Sequence, residues 1–182
     1  MRKVAMLLTI PLLLGAISCI KEETSPTSTA LDHTEMALDC AQKMPESADE
    51  LVTHSGYAIE SLTIEDMHNY ASHVVGFAND VINHAQLAII HSEEVTNSPD
   101  ASTDLRYEAR QIIDHAKRTT SHAEKTKKCA EQAQMTATLN STWSHAKMAL
   151  HAKLTKQQAR LTLFHAQNAT KSLRKNSAIQ AK

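Results

Sequence analysis

Eleven histidines outnumber the six Phe, Tyr and Trp residues of this 182-residue chain, and they are not scattered. Six are followed directly by Ala: His84, His115, His122, His145, His151 and His165. Their surroundings repeat. Ile82-Asn83-His84-Ala85-Gln86 matches Ile113-Asp114-His115-Ala116-Lys117, Trp143-Ser144-His145-Ala146-Lys147 and Leu163-Phe164-His165-Ala166-Gln167. A second His stands seven residues on in the first two copies (His91, His122) and six on in the third (His151); Ser172 takes that place in the fourth.

Neutral imidazole suits Cu(II), Ni(II) and Zn(II), and copper leads on intrinsic affinity. Seven residues make nearly two helical turns, so His84 and His91 share a face about 10 Å apart along the axis, with His73 on that face as well. Metal–nitrogen bonds of about 2 Å forbid two such rings from holding one ion. Each therefore needs a ligand one turn away or on another helix. Asp80 precedes His84 by four, Glu94 follows His91 by three, and Met148 stands three from both His145 and His151, where its thioether would favour Cu(I). Glu50 and Glu65 stand one turn before His54 and His68. His115 and His122 have no carboxylate one turn away and need another helix. The rival reading is a polar helix face on which His is only the polar residue, with no ligand.

The units His84-Ala-Gln-Leu-Ala-Ile-Ile-His91 and His115-Ala-Lys-Arg-Thr-Thr-Ser-His122 resemble the repeats of the small metal-binding protein family. That resemblance covers about residues 68–173. It implies a periplasmic, helical, His-rich protein that binds copper and other divalent metals without catalysis. This chain differs from the family in being longer, in having fewer His and in the lipid anchor expected at its start, and its last two repeats are degraded.

The elements that must position these side chains are helices. Beyond residue 18 only Gly56, Gly76, Pro26, Pro45 and Pro99 interrupt a chain of helix formers, and nothing reads as a strand. Punctuation predicts a short helix over about 31–44 that stops before Pro45. A second, 48–62, starts at the box Ser47-Ala48-Asp49-Glu50. Thr63 opens a long helix to about Val95, and the turn Asn97-Ser98-Pro99-Asp100 precedes another over 101–135. A break near 138–141 leads to a last helix, 142–175. The long helices carry apolar stripes, such as Met67, Tyr70, Val74, Phe77 and Val81. The fold class expected is all-α, an antiparallel helical bundle of three long helices plus two short N-terminal helices, over residues 31–176 with a tail of 177–182.

The start of the chain reads as an export signal. Arg2 and Lys3 precede an apolar run from Val4 to Ile17, too short to span a bilayer as a stable helix. Ala16-Ile17-Ser18-Cys19 resembles a bacterial lipobox, which implies removal of residues 1–18 and acylation of Cys19. The usual Leu three before the Cys is replaced by Ala16, so ordinary secretion is the alternative. Residues 19–30 are polar and Ser/Thr/Pro-rich, a tether. The location expected is the periplasm or the outer face of a bacterial membrane. In an oxidising compartment the remaining pair, Cys40 and Cys129, suggests a disulfide, reachable if the chain folds back at Pro45 as a hairpin. Cys129 as a soft metal ligand is the rival use.

The formal charge of −1 hides an asymmetry: from Gln132 onward there are eight basic residues and no Asp or Glu. Cys-x-x-Cys-His, a nucleophile elbow and a phosphate-binding Gly loop are all absent, and basic residues lack interleaved aromatics. The reading is therefore a non-enzyme without nucleic-acid partners: an envelope protein that buffers or scavenges divalent metal, copper first. The alternative is a helical envelope lipoprotein that serves as a structural or protein-interaction module.

Overall fold

A computed structural model describes residues 29–135 and 142–180, with side chains over 29–135 and 144–174. The expected signal peptide, Cys19, residues 20–28 of the tether and the break near 138–141 lie outside the described residues. The described chain is all-α. It forms four helices: α1 (Ala30–Glu60), α2 (Ile64–Asn97), α3 (Thr103–Gln134) and α4 (Thr142–Gln180). None is long and apolar enough to cross a membrane.

The starts are set by side-chain caps. Thr29 accepts from the Asp32 amide while the Asp32 carboxylate accepts from the Thr29 amide, a reciprocal box. Thr63 caps α2 through the Asp66 amide, and Ser102 caps α3 through the Leu105 amide. The tether therefore ends two residues early, because Thr29 caps α1 and Ala30 is its first residue. The C-terminal tail is shorter than expected as well: neither Gly nor Pro follows Asn176 to stop the helix, and α4 runs on to Gln180.

Two short N-terminal helices are not present. α1 passes through Pro45 without a break. An interior Pro loses the bond to the carbonyl four residues back and costs about 3 kcal/mol. Breaking the helix there would cost more, because Ala41, Met44, Ala48 and Leu51 are all fully buried on its inner face. Met44 and Leu51 alone contribute roughly 3–6 kcal/mol by burial.

Each helix packs on two neighbours, α1 on α2 and α4, and α3 on α2 and α4. Cross-helix contacts run in opposite senses along each pair, as in His33 with His91 and His54 with His73, so neighbouring helices are antiparallel. Buried residues recur at alternating steps of three and four: Ala71, Val74, Ala78, Val81, Ala85, Ala88, Ser92 and Val95 in α2, with the same beat in the other three helices. This is a heptad pattern, with its buried a and d positions turned inward. The a positions are nearly all Ala, Ser or Thr, so the axes can approach closely.

Cys40 and Cys129 are both free and buried, and they belong to separate core clusters. The expected disulfide fails for the reason that removes the hairpin. With α1 continuous, Cys40 lies ten residues from one end of the bundle and Cys129 lies 26 residues along α3 from that same end. Sixteen residues of rise separate them, about 24 Å, far beyond disulfide reach.

Candidate metal centre

The heptad register explains the histidine repeat. Eight of the eleven His occupy the g position, immediately before a buried a residue: His33-Thr34, His54-Ser55, His84-Ala85, His91-Ser92, His115-Ala116, His122-Ala123, His151-Ala152 and His165-Ala166. The small a residue admits the close approach, and the His flanks the core. In an antiparallel pair one g row faces the other. The α1–α2 and α3–α4 seams are thus lined by imidazoles, while the other two carry aliphatic e residues such as Ile82, Ile89 and Leu163. His145 is out of step. It sits at a, 6% exposed, and its spacing of six to His151 follows from that shift.

Along α1–α2 the rings meet nitrogen to nitrogen. His33 Nδ1 lies 3.4 Å from His91 Nδ1, with ring centroids 5.6 Å apart. His73 Nδ1 lies 3.4 Å from His54 Nδ1, with centroids 4.8 Å apart and rings at 88°. Two nitrogens bound at about 2.0–2.1 Å to one tetrahedral ion lie roughly 3.3–3.4 Å apart. The pairs therefore already hold two donors at a ligating separation. Glu50 Oε2 is 3.6 Å from His54 Nε2, which favours the proton on Nε2 and leaves Nδ1 its lone pair. Burial pushes the His54 pKa down, His73 adds to this and Glu50 opposes it. Burial likewise lowers His91, helped by His33 and opposed by Glu94. Both rings are thus biased to the neutral, ligating form.

Along α3–α4 the same geometry is otherwise employed. His165 Nδ1 is 2.7 Å from Glu108 Oε2, and His115 Nδ1 is 2.9 Å from Gln158 Oε1; the two rings stack at 5.2 Å. His122 and His151 stack at 5.6 Å with both Nδ1 atoms buried and without hydrogen-bond partners. Burial lowers both, and nearby Lys125 lowers them further, with Lys147 acting on His151 as well. Those lysines also oppose a cation.

Charge divides along the same line. α1 and α2 together carry twelve carboxylates and a single lysine, whereas α3 and α4 carry fourteen Lys and Arg against five carboxylates. Cations are drawn to the α1–α2 half.

The sequence-predicted ligands separate accordingly. His73 and His91 are brought into pairs, Glu94 acts on His91, and His115 with His165 and His122 with His151 meet across helices. His84 lies at g of α2, half-buried, and Asp80 is exposed on the solvent side of that helix. Met148 is fully buried at d, in the cluster that holds Leu51, Val74 and Cys129, so its sulfur packs in the core. His145 is buried beside it in the chain, its Nε2 without a partner. His33 was missed by sequence reasoning, and His54 was noted only for Glu50 one turn before it, not as a partner of His73. They precede Thr and Ser rather than Ala, and only the heptad beat would have exposed them.

No three His, Cys, Asp or Glu among the described residues converge on a point that could hold an ion. Each pair offers two protein ligands. The chain matches no protein-family model, no curated protein and no solved structure.

Proposed function

We propose that this protein binds divalent metal at the α1–α2 seam and acts as a buffer or scavenger, with Cu(II) its leading ion and Ni(II) or Zn(II) able to compete. The observation that carries this is the 3.4 Å separation of the Nδ1 atoms in both His33–His91 and His54–His73. Two imidazoles with water completing the shell give weak, exchangeable sites, which suit buffering rather than a resident cofactor. The acidic half-bundle concentrates cations around them. The resemblance of the His-Ala units to the small metal-binding protein family supports the same reading, as does the absence of enzyme motifs.

The setting we infer is the bacterial envelope, with Cys19 acylated and residues 20–28 as the tether. The alternative, a structural or interaction module, draws support from the α3–α4 seam, where His115 and His165 are engaged by Gln158 and Glu108. Copper titration of the full chain separates the two. The metal reading expects the double variants His33→Ala/His91→Ala and His54→Ala/His73→Ala each to remove a site, and His115→Ala/His165→Ala to leave capacity unchanged. Wild-type and all variants titrating alike would leave the structural reading standing.

A further inference from the structure

At the turn between α1 and α2, next to the His54–His73 pair, lies a hollow of about 300 Å³ lined by Tyr57, Glu60, Ser61, Leu62, Asp66 and Tyr70. Half of the chain's six Phe, Tyr and Trp residues gather beside it. Tyr57 and Tyr70 touch at 5.2 Å between centroids, and Phe77 stacks on His54 behind them at 5.2 Å. Tyr57 is 48% exposed, a position where a ring gains little from burial. Two carboxylates share the lining, and no Lys or Arg does. The last carbonyls of α1 add the negative end of that helix's dipole. At the start of α2 the opposite pole meets Glu65 and Asp66.

We propose that this hollow binds a small organic cation carrying a methylated ammonium group. Carboxylates alone would favour a compact, strongly hydrated cation such as a metal ion or a lysine ammonium. Aromatic faces beside carboxylates favour a weakly hydrated one, whose methyl groups lie against the ring while its charge is attracted by the ring quadrupole. Tyr57 and Tyr70 supply the faces, Glu60 and Asp66 the countercharge. Asp66 is held in place by the Thr63 hydroxyl, which donates to it at 2.7 Å. The lining itself includes none of the proposed metal ligands, but both tyrosine rings lie against His54, so metal must be absent from the test.

The test is calorimetric titration of the full chain, with EDTA present to remove metal, using choline, its neutral isostere 3,3-dimethylbutanol, and ammonium. Choline should bind with a millimolar dissociation constant, and the other two much more weakly. Tyr57→Leu should weaken choline roughly five-fold or more, Tyr57→Phe should retain it, and Glu60→Gln should weaken it. Tyr57 and Glu60 are exposed, so these variants keep the fold, and melting curves verify this. Equal binding of choline and the neutral isostere, equal binding of ammonium, or unchanged affinity in Tyr57→Leu would each overturn the proposal.

Discussion

Replacing Pro45 with Ala tests the continuity of α1. In the structure Pro45 sits in the middle of a 31-residue helix. Its missing N–H leaves the Ala41 carbonyl without its helical partner, and its ring crowds that carbonyl. An interior Pro is about 3 kcal/mol worse than Ala. Ala41, Met44 and Ala48 are fully buried around it, so the helix has little freedom to relax the conflict away. Recovery of most of the difference, about 2 kcal/mol, should raise the melting temperature by roughly 4–8 °C for a domain of this size. Differential scanning calorimetry of the full chain measures it. Had the helix ended before Pro45, the ring would instead restrict the unfolded chain, and Pro45→Ala would lower stability by about 0.4–1 kcal/mol. A fall in melting temperature would therefore refute the continuous helix.

Stability should also depend on pH. His54, His91, His122, His145 and His151 are all held below the ordinary imidazole value, with burial the leading cause. The unfolded chain then takes up more protons than the folded one as pH drops below about 6.5. Stability is complete above that value and falls through the lowered range, so metal-free protein should melt lower at pH 5 than at pH 7.5; a flat or opposite trend would contradict the burial of these rings. Thiol counting on unreduced, denatured protein should find Cys40 and Cys129 both free, and a single closed disulfide would reject the axial offset between Cys40 on α1 and Cys129 on α3. Intact mass of the mature protein should show residues 1–18 removed and acyl groups on Cys19. A correctly cleaved, unmodified Cys19 would leave secretion in place of anchoring.

Much of this was legible in the chain. Thr63, Ser98 and Pro99 mark the two ends of α2 because caps and turn residues act locally. The stripe Met67–Val74–Val81 shows the inner face of α2 because apolar burial has the helix period. Pro45 misled because a local rule met a tertiary one: the cost of an interior Pro is smaller than that of exposing Met44 and Leu51. The box at Ser47–Glu50 went unused for the same reason. The true start was written at Thr29 and Asp32, a box hidden at the end of a Ser/Thr/Pro-rich stretch. In the candidate site, the seven-residue recurrence of His was visible, but its meaning as the g row was not, since a single helix does not show what faces it. Pairing of His54 with His73 depends on the register between α1 and α2. That register comes from packing Ala, Ser and Thr at a positions along both helices. Met148 was drawn in by spacing alone, and its d position places it in the core.

The proposed function rests on metal ligation by the α1–α2 histidine pairs. Anomalous diffraction at the copper edge, on crystals of the full chain loaded with Cu(II), tests it most directly. One peak is expected between His33 Nδ1 and His91 Nδ1 and another between His54 Nδ1 and His73 Nδ1, each about 2 Å from both nitrogens. Bound copper at a hundred times its dissociation constant should add about 2.7 kcal/mol of stability per site. Copper found only elsewhere, or none at these pairs in loaded crystals, would contradict it.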